Sequence, residues 1–110
     1  MDDDAVFRAL ADASRRLLLD RLHAESGQTL LQLCQGLDMS RQAVAKHLRI
    51  LEEANLVSSQ RTGREKRHFL NPVPINGIAE RWIGKFERPR LAALSELKEA
   101  LERPDGERSE

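Results

Sequence analysis

Apolar residues recur at helical spacing along most of the chain, and at strand spacing in one short stretch. Val6, Phe7 and Leu10 mark a short first helix over Ala5–Leu10. Asp12-Ala13-Ser14 offers a capping group for a second helix. Leu17, Leu18 and Leu22 are predicted on its buried face, with Arg15, Arg16, Asp20 and Arg21 around the rest. It ends near His23, before the loop at Ser26-Gly27. Leu30, Leu31, Leu33 and Leu37 predict a third, short helix, followed by the turn Gly36-Leu37-Asp38-Met39. Ser40 is placed to cap a fourth helix from Arg41 to about Ala54, a stretch free of glycine and proline. Val44, Leu48 and Leu51 form a narrow apolar stripe along it. Asn55 ends it, because asparagine tolerates the left-handed backbone of a helix terminus.

From Leu56 the period changes. Leu56–Arg61 reads as a strand, Thr62-Gly63-Arg64-Glu65 as a turn and Lys66–Leu70 as the returning strand of a hairpin. Asn71-Pro72-Val73-Pro74 stops the sheet and starts a last helix. Ile75, Ile78, Trp82, Ile83 and Phe86 share one face of it, and Leu91, Leu94, Leu97 and Leu101 continue the pattern beyond a kink or break expected at Pro89. The reading is one domain over residues 1–101 and a polar, disordered tail over 102–110. It is mostly α with a small β-hairpin, in the order helix, tight turn, helix, hairpin, which is that of a winged helix-turn-helix.

Charge sharpens this picture. The chain balances 18 basic against 18 acidic residues, but unevenly. Residues 41–71 hold seven basic side chains and three acidic, whereas residues 1–40 hold four and seven. The positive excess therefore sits on the fourth helix and the hairpin, as an electrostatic footprint for nucleic acid would. With Val44 at the inward pole, Gln42, Ala45, Lys46 and Arg49 fall on the far side. Glutamine can pair with adenine, and lysine or arginine with guanine or phosphate, while Ala45 keeps the face slim. Ser40 and Arg41 sit where backbone N–H groups favour a phosphate. A solvated polar face is the bland alternative for the helix, and edge-strand protection for the hairpin. The ordered combination favours DNA. The candidate contact set is Ser40, Arg41, Gln42, Ala43, Ala45, Lys46, His47 and Arg49 on the helix, with Arg61, Arg64 and Lys66 on the hairpin. His47 has two readings, a phosphate contact or packing at the helix edge, with packing favoured.

Taken together, Asp12-Ala13-Ser14-Arg15-Arg16, Leu33-Cys34-Gln35-Gly36-Leu37-Asp38-Met39-Ser40, Val44-Ala45-Lys46-His47-Leu48-Arg49-Ile50-Leu51, Glu53-Ala54-Asn55-Leu56-Val57 and Arg61-Thr62-Gly63-Arg64 resemble the ArsR family of bacterial repressors. The resemblance runs to about Leu101, with Asn55 where the family has glycine and Ala13 where it often has proline. It implies a homodimer paired through the first and last helices, two recognition helices in successive major grooves and an inverted-repeat operator on duplex DNA. Val6, Phe7, Ile75, Ile78, Trp82, Ile83, Phe86, Leu91 and Leu94 are the residues it assigns to that interface. The last helix carries more apolar surface than one small domain can cover, which points the same way.

Other chemistry is thin. Paired carboxylates in apolar surroundings, a nucleophile with a histidine partner and a glycine-rich phosphate loop are all missing from the sequence, so no enzyme is expected. There is no apolar run long enough to span a membrane and no secretory leader, and the single cysteine fits a reducing compartment, so a cytoplasmic protein is expected. A winged helix used for protein contacts alone is the competing function. The family's metal sensors carry a Cys-x-Cys pair at the positions of Thr29 and Leu31, and others carry His and Asp on the last helix, where residues 74–101 contain no histidine. Cys34 reads as a packed core residue, and no cofactor or metal is expected; the arrangement of Trp82 and Phe86-Glu87-Arg88, followed by Arg90-Leu91 and Leu94, resembles a metal-free subgroup. Zinc, cadmium or arsenite should therefore leave operator binding unchanged in a gel-shift titration. Stoichiometric metal uptake with loss of DNA affinity is the contrary outcome.

Overall fold

The computed structural model describes residues 3–102, apart from the side chains of 87–91. The elements are α1 (Asp3–Leu10), α2 (Ala13–Ala24), β1 (Gln28–Thr29), α3 (Leu30–Cys34), α4 (Arg41–Glu53), β2 (Val57–Thr62), β3 (Glu65–Leu70) and α5 (Val73–Glu102). They divide into two compact units, Met1–Asn76 and Gly77–Glu110.

The first unit is built on a leucine-rich core. Val6, Leu18, Leu22, Leu33, Val44, Leu51 and Leu56 lose all contact with solvent. Each such side chain contributes roughly 1.5–3 kcal/mol of transfer free energy on burial. The apolar stripe of α4 faces inward as expected. On α2 the phase differs: Leu18, Leu19 and Leu22 are buried, and Leu17 is exposed. Three consecutive leucines leave periodicity without a preferred pole, and Leu19 lies on the side that meets the core. On α3, Leu33 is buried while Leu31 is exposed, and the helix ends at Cys34 before Leu37. Cys34 is a free thiol, half-buried.

Helix termini explain why these segments stop where they do. Asp12 accepts the Arg15 backbone N–H at 3.1 Å and caps α2. Thr29 and Gln32 form a reciprocal capping box at the start of α3, at 3.2 and 2.9 Å. Ser40 accepts the Ala43 N–H at 3.1 Å and caps α4. At the other end of α4, Asn55 adopts a φ of 63°. Its N–H donates to the Glu52 carbonyl, and the Leu56 N–H donates to the Leu51 carbonyl, both at 2.9 Å. This is the Schellman arrangement, sealed by the buried pair Leu51 and Leu56.

The hairpin runs from Val57↔Leu70 to Thr62↔Glu65 around the two-residue turn Gly63-Arg64. Gly63 has a φ of 62°, at the first central position, where a type II′ turn demands glycine. The first strand of the hairpin begins and ends one residue later than the pattern suggested, because Leu56 is engaged in closing α4, and the returning strand begins one residue earlier, at Glu65. A third strand was not legible. β1 pairs with β3 through Gln28↔His68 and Thr29↔Arg67, giving the sheet order β1-β3-β2. Two residues are too few for an alternation to register.

The helix that begins at Val73 in the first unit continues in the second through Pro89 to Glu102, so the expected interruption is not a break. Trp82, Ile83, Phe86, Leu94, Leu97 and Leu101 are each more than half exposed. Leu91 and the side chain of Pro89 lie outside the described residues, as does the tail beyond Glu102.

Asp12 supplies a stability test. The Arg15 backbone N–H holds its carboxyl below the ordinary carboxylate range, opposed by partial burial and assisted by the charges of Arg15 and His47. A depressed folded pKa means stabilisation that is complete above the unfolded value and is lost as pH falls through the folded one. Asp12→Ala should lower unfolding free energy in urea by about 1 kcal/mol at neutral pH. Asp12→Asn should keep the cap and show a flatter decline of stability in acid, below about pH 4. Equal acid profiles for the wild type and Asp12→Asn would show that the cap carries no charge dependence.

Candidate nucleic-acid interface

The rotation of α4 is set by its buried row, and this decides what it presents outward. Arg41, Gln42, Lys46 and Arg49 are exposed, with Ala43, Ala45 and His47 partly covered between them. Ser40 is exposed at the cap. Arg61, Arg64 and Lys66 are exposed on the hairpin. Five of these basic side chains converge. A groove of about 540 Å³ is lined by Arg41, Ala45 and Arg49 from α4, and by Arg61, Arg64 and Lys66 from the hairpin. Leu30, Leu31 and Leu48 also line it. Gln42 and Lys46 are not among the lining residues and belong to the neighbouring strip of α4.

Most of this charge is unanswered within the chain. Among the described residues, no carboxylate lies within ion-pair distance of Arg41, Lys46, Arg49, Arg61 or Arg64. Lys66 differs, with its Nζ 3.7 Å from Glu52 Oε1. Arg67 is committed entirely: it pairs with Glu65 at 2.6 Å and donates to the Gly27 carbonyl at 2.8 Å. His47 is partly covered. Its Nδ1 lies 3.4 Å from Arg15 Nη1 and 3.8 Å from Asp12, so it ties α4 to the start of α2.

Several residues that position this face carry no functional flag in the sequence. Arg15 donates from Nε to the Ala9 carbonyl at 2.8 Å and from Nη2 to the Arg8 carbonyl at 3.0 Å, closing the end of α1. Arg21 donates to the carbonyls of Leu33 and Gln35 at 3.1 and 2.5 Å, and so anchors the start of the turn that precedes α4. Buried Gln28 donates to the carbonyls of Arg21 and Glu25 at 2.9 and 2.8 Å, fastening β1 to the end of α2. Arginines on a polar helix face read as solvated, and only the fold reveals the carbonyls they reach. Glu52 did leave a trace, since it stands one turn after Leu48, at the edge of the apolar stripe. Among the expected interface residues, Val6 is a correction: it is fully buried in the core, with no surface left for a partner. Phe7 beside it is 48% exposed, and Ile75 and Ile78 are half-buried.

Comparison with known proteins agrees with this geometry. Residues 10–60 match the family profile of a helix-turn-helix domain. The uncharacterized HTH-type transcriptional regulator YuzN of Bacillus subtilis is 41% identical over 86 residues, covering 73% of this chain and 94% of that protein. The transcriptional repressor SdpR of the same organism is 32% identical over 81 residues, covering 74% and 88%. The structure of an ArsR-like transcriptional regulator from Rhodococcus sp. RHA1 superposes with a TM-score of 0.69 at 36% identity, covering 88% of this chain and 90% of that one. Among the described residues no helix is long and apolar enough to cross a membrane. With its capped recognition helix, basic hairpin and these relatives, the chain belongs to the ArsR family of winged helix-turn-helix, DNA-binding transcriptional regulators.

Proposed function

We propose that this protein is a cytoplasmic homodimeric repressor that sets α4 in the major groove of an inverted-repeat operator, with the hairpin as a wing on the adjoining backbone. The observation that carries this reading is the groove in which Arg41, Arg49, Arg61 and Arg64 gather without carboxylate partners among the described residues. Unpaired guanidinium groups on two elements are suited to phosphate, which accepts forked hydrogen bonds and releases counterions when bound. Gln42 and Lys46, on the adjoining strip, are assigned to base edges. Ser40, Arg41 and the half-covered Ala43 lie at the helix start, where backbone N–H groups favour a phosphate. Lys66 is divided between DNA and Glu52. The sense of regulation follows SdpR, whose name is that of a repressor. No catalytic role is assigned to any residue.

Dimerisation is supported by α5. Trp82 and Phe86 stack with ring centroids 5.9 Å apart, yet are 52% and 59% exposed, beside Ile83 at 58%. A symmetric partner that covers them, with Phe7, Ile75, Ile78 and Leu94 contributing, removes that apolar surface from water. Phe86→Asp should shift the mass in light scattering from twice the chain mass to one chain mass at micromolar protein. The expected cost on an operator with two half-sites is much larger than on a single half-site. A wild-type protein that is monomeric at that concentration would sink the dimer.

Reading and grip can be separated on DNA. Gln42→Ala should cost about 1–3 kcal/mol on the operator and little on scrambled duplex, because a base-edge contact carries sequence information. Arg64→Ala should weaken both duplexes alike and reduce the salt slope by about one unit per protomer. Titrations of both variants on both duplexes at several salt concentrations decide the matter. If the two substitutions changed both duplexes in the same ratio, the placement of helix and wing would be wrong.

A further inference from the structure

The recognition helix and the wing meet over one carboxylate. Glu52, in the last turn of α4, has Lys66 Nζ at 3.7 Å and His68 Nε2 at 3.8 Å from the same oxygen, Oε1. That oxygen is buried and accepts no hydrogen bond from the described residues. An unsatisfied buried acceptor is among the costlier defects a fold can hold. The His68 side chain, 5% exposed, is fixed from its other edge as well: Nδ1 lies 3.0 Å from the Gln28 carbonyl oxygen. A carbonyl only accepts, so Nδ1 carries a proton. A neutral imidazole has one N–H. With that proton on Nδ1, Nε2 turns a lone pair toward Glu52, and two acceptors face each other. The imidazolium alone donates in both directions.

We propose that Glu52 and His68 form a proton-dependent latch that positions the wing against the recognition helix. The latch is complete when both ring nitrogens of His68 carry a proton, and it opens when Nε2 gives up its own. Glu52, Lys66 and His68 all line the groove that holds Arg41, Arg49 and Arg61, so the latch governs the spacing of the basic walls. This consequence rests on the reading of the wing as a DNA contact. The other charged groups that line the groove with His68 are Arg41 and Arg49 of α4, Arg61 of β2, Arg64 of the turn and Glu65 of β3. β1 and α3 bring no ionisable side chain except the Cys34 thiol, and β2 sets Ser59 opposite. On α2, Arg21 is committed to backbone carbonyls, and His23 and Glu25 are exposed. On β3, Arg67 pairs with Glu65, and Lys66 shares Glu52 from a side chain that is 45% exposed. A latched wing holds Arg61 and Arg64 at a fixed distance from α4, and a loose wing must be ordered when DNA binds, at a cost in affinity.

Glu52→Gln provides the test, because its shape is conserved while its chemistry is inverted. The new amide can donate to the lone pair of neutral Nε2, so the latch closes without a proton. Operator affinity of the wild type should fall by about three- to tenfold between roughly pH 6 and 8 beyond the dependence shared with the variant. The Glu52→Gln curve should lack that extra fall. Loss of a negative charge near DNA would instead raise affinity equally at every pH, and His23 and His47, present in both proteins, cancel from the comparison. Nitrogen-15 correlation spectra of the imidazole rings give a readout without DNA. His68 Nδ1 should carry hydrogen at all pH values, and Nε2 should gain it only on acidification. A neutral ring protonated on Nε2 would overturn the latch itself. Parallel wild-type and variant affinity curves, with the expected spectra, would overturn its control of the wing. Failure of Arg64→Ala to weaken binding would identify a fault in the wing's assignment to DNA instead.

Discussion

The row Val44, Leu48 and Leu51 fixes the rotation of α4 about its own axis, and nearly everything functional follows from that angle. All three side chains are buried, and Leu51 meets Leu56 across the cap that ends the helix. Advancing α4 by one residue would turn it about 100° and drive Ala45, Arg49 and Glu52 toward the core in their place. Each displaced apolar side chain forfeits roughly 1.5–3 kcal/mol, and burying an unpaired guanidinium costs several more. The outward set is therefore held by what lies behind it. A recognition face needs this rigidity, because base edges discriminate only between groups presented at a defined position.

The cap at Asn55 extends the same constraint to the wing. A Schellman ending reverses the chain within two residues, so β2 starts at a fixed direction from α4. Asn71 then donates its amide to the Asn55 carbonyl at 2.8 Å, and its backbone N–H to the Leu56 carbonyl at 2.8 Å. The return strand is thereby tied to the point where the outgoing strand began. The arginines of α2 do comparable work at the opposite side, meeting the carbonyl ends of α1 and α3 that would otherwise lack partners. Guanidinium groups suit this task, since their fixed fork reaches two carbonyls at once.

Much of this was legible in the residues, and the parts that were not share a cause. Ser40, Asn55, Gly63 and the stripe of α4 announce themselves because each is a local rule: a cap, a left-handed position, a turn, a period. The capping box at Thr29 was equally local, in the pattern Thr29-Leu30-Leu31-Gln32, and marks the start of α3 more sharply than its leucines do. The inward phase of α2 was not local. Leu17, Leu18 and Leu19 are equivalent as a sequence, and only the position of α4 and the sheet selects Leu18 and Leu19. The same holds for β1, which exists because β3 offers it an edge, and for the partners of Arg15, Arg21 and His68, which come from segments 6 to 40 residues away. Contacts within a turn are written in the chain, and contacts between elements must wait for the fold.

Charge bookkeeping over the whole chain is misleading for the same reason. Eighteen basic and 18 acidic residues sum to zero, which taken alone argues against a polyanionic partner. The field at the candidate interface is set by what remains after internal pairing. Of the three acidic residues in 41–71, Glu65 is held by Arg67 and Glu52 faces Lys66 and His68, which leaves Glu53. Against it stand Arg41, Lys46, Arg49, Arg61 and Arg64. Screening at physiological salt confines a surface charge to about 8 Å, so acidic side chains elsewhere on the molecule do little to offset this group. A protein with no net charge can thus present a positive face to DNA. It also avoids the indiscriminate attraction that a uniformly basic surface would exert along any duplex, and so leaves more of the binding free energy to contacts that depend on sequence.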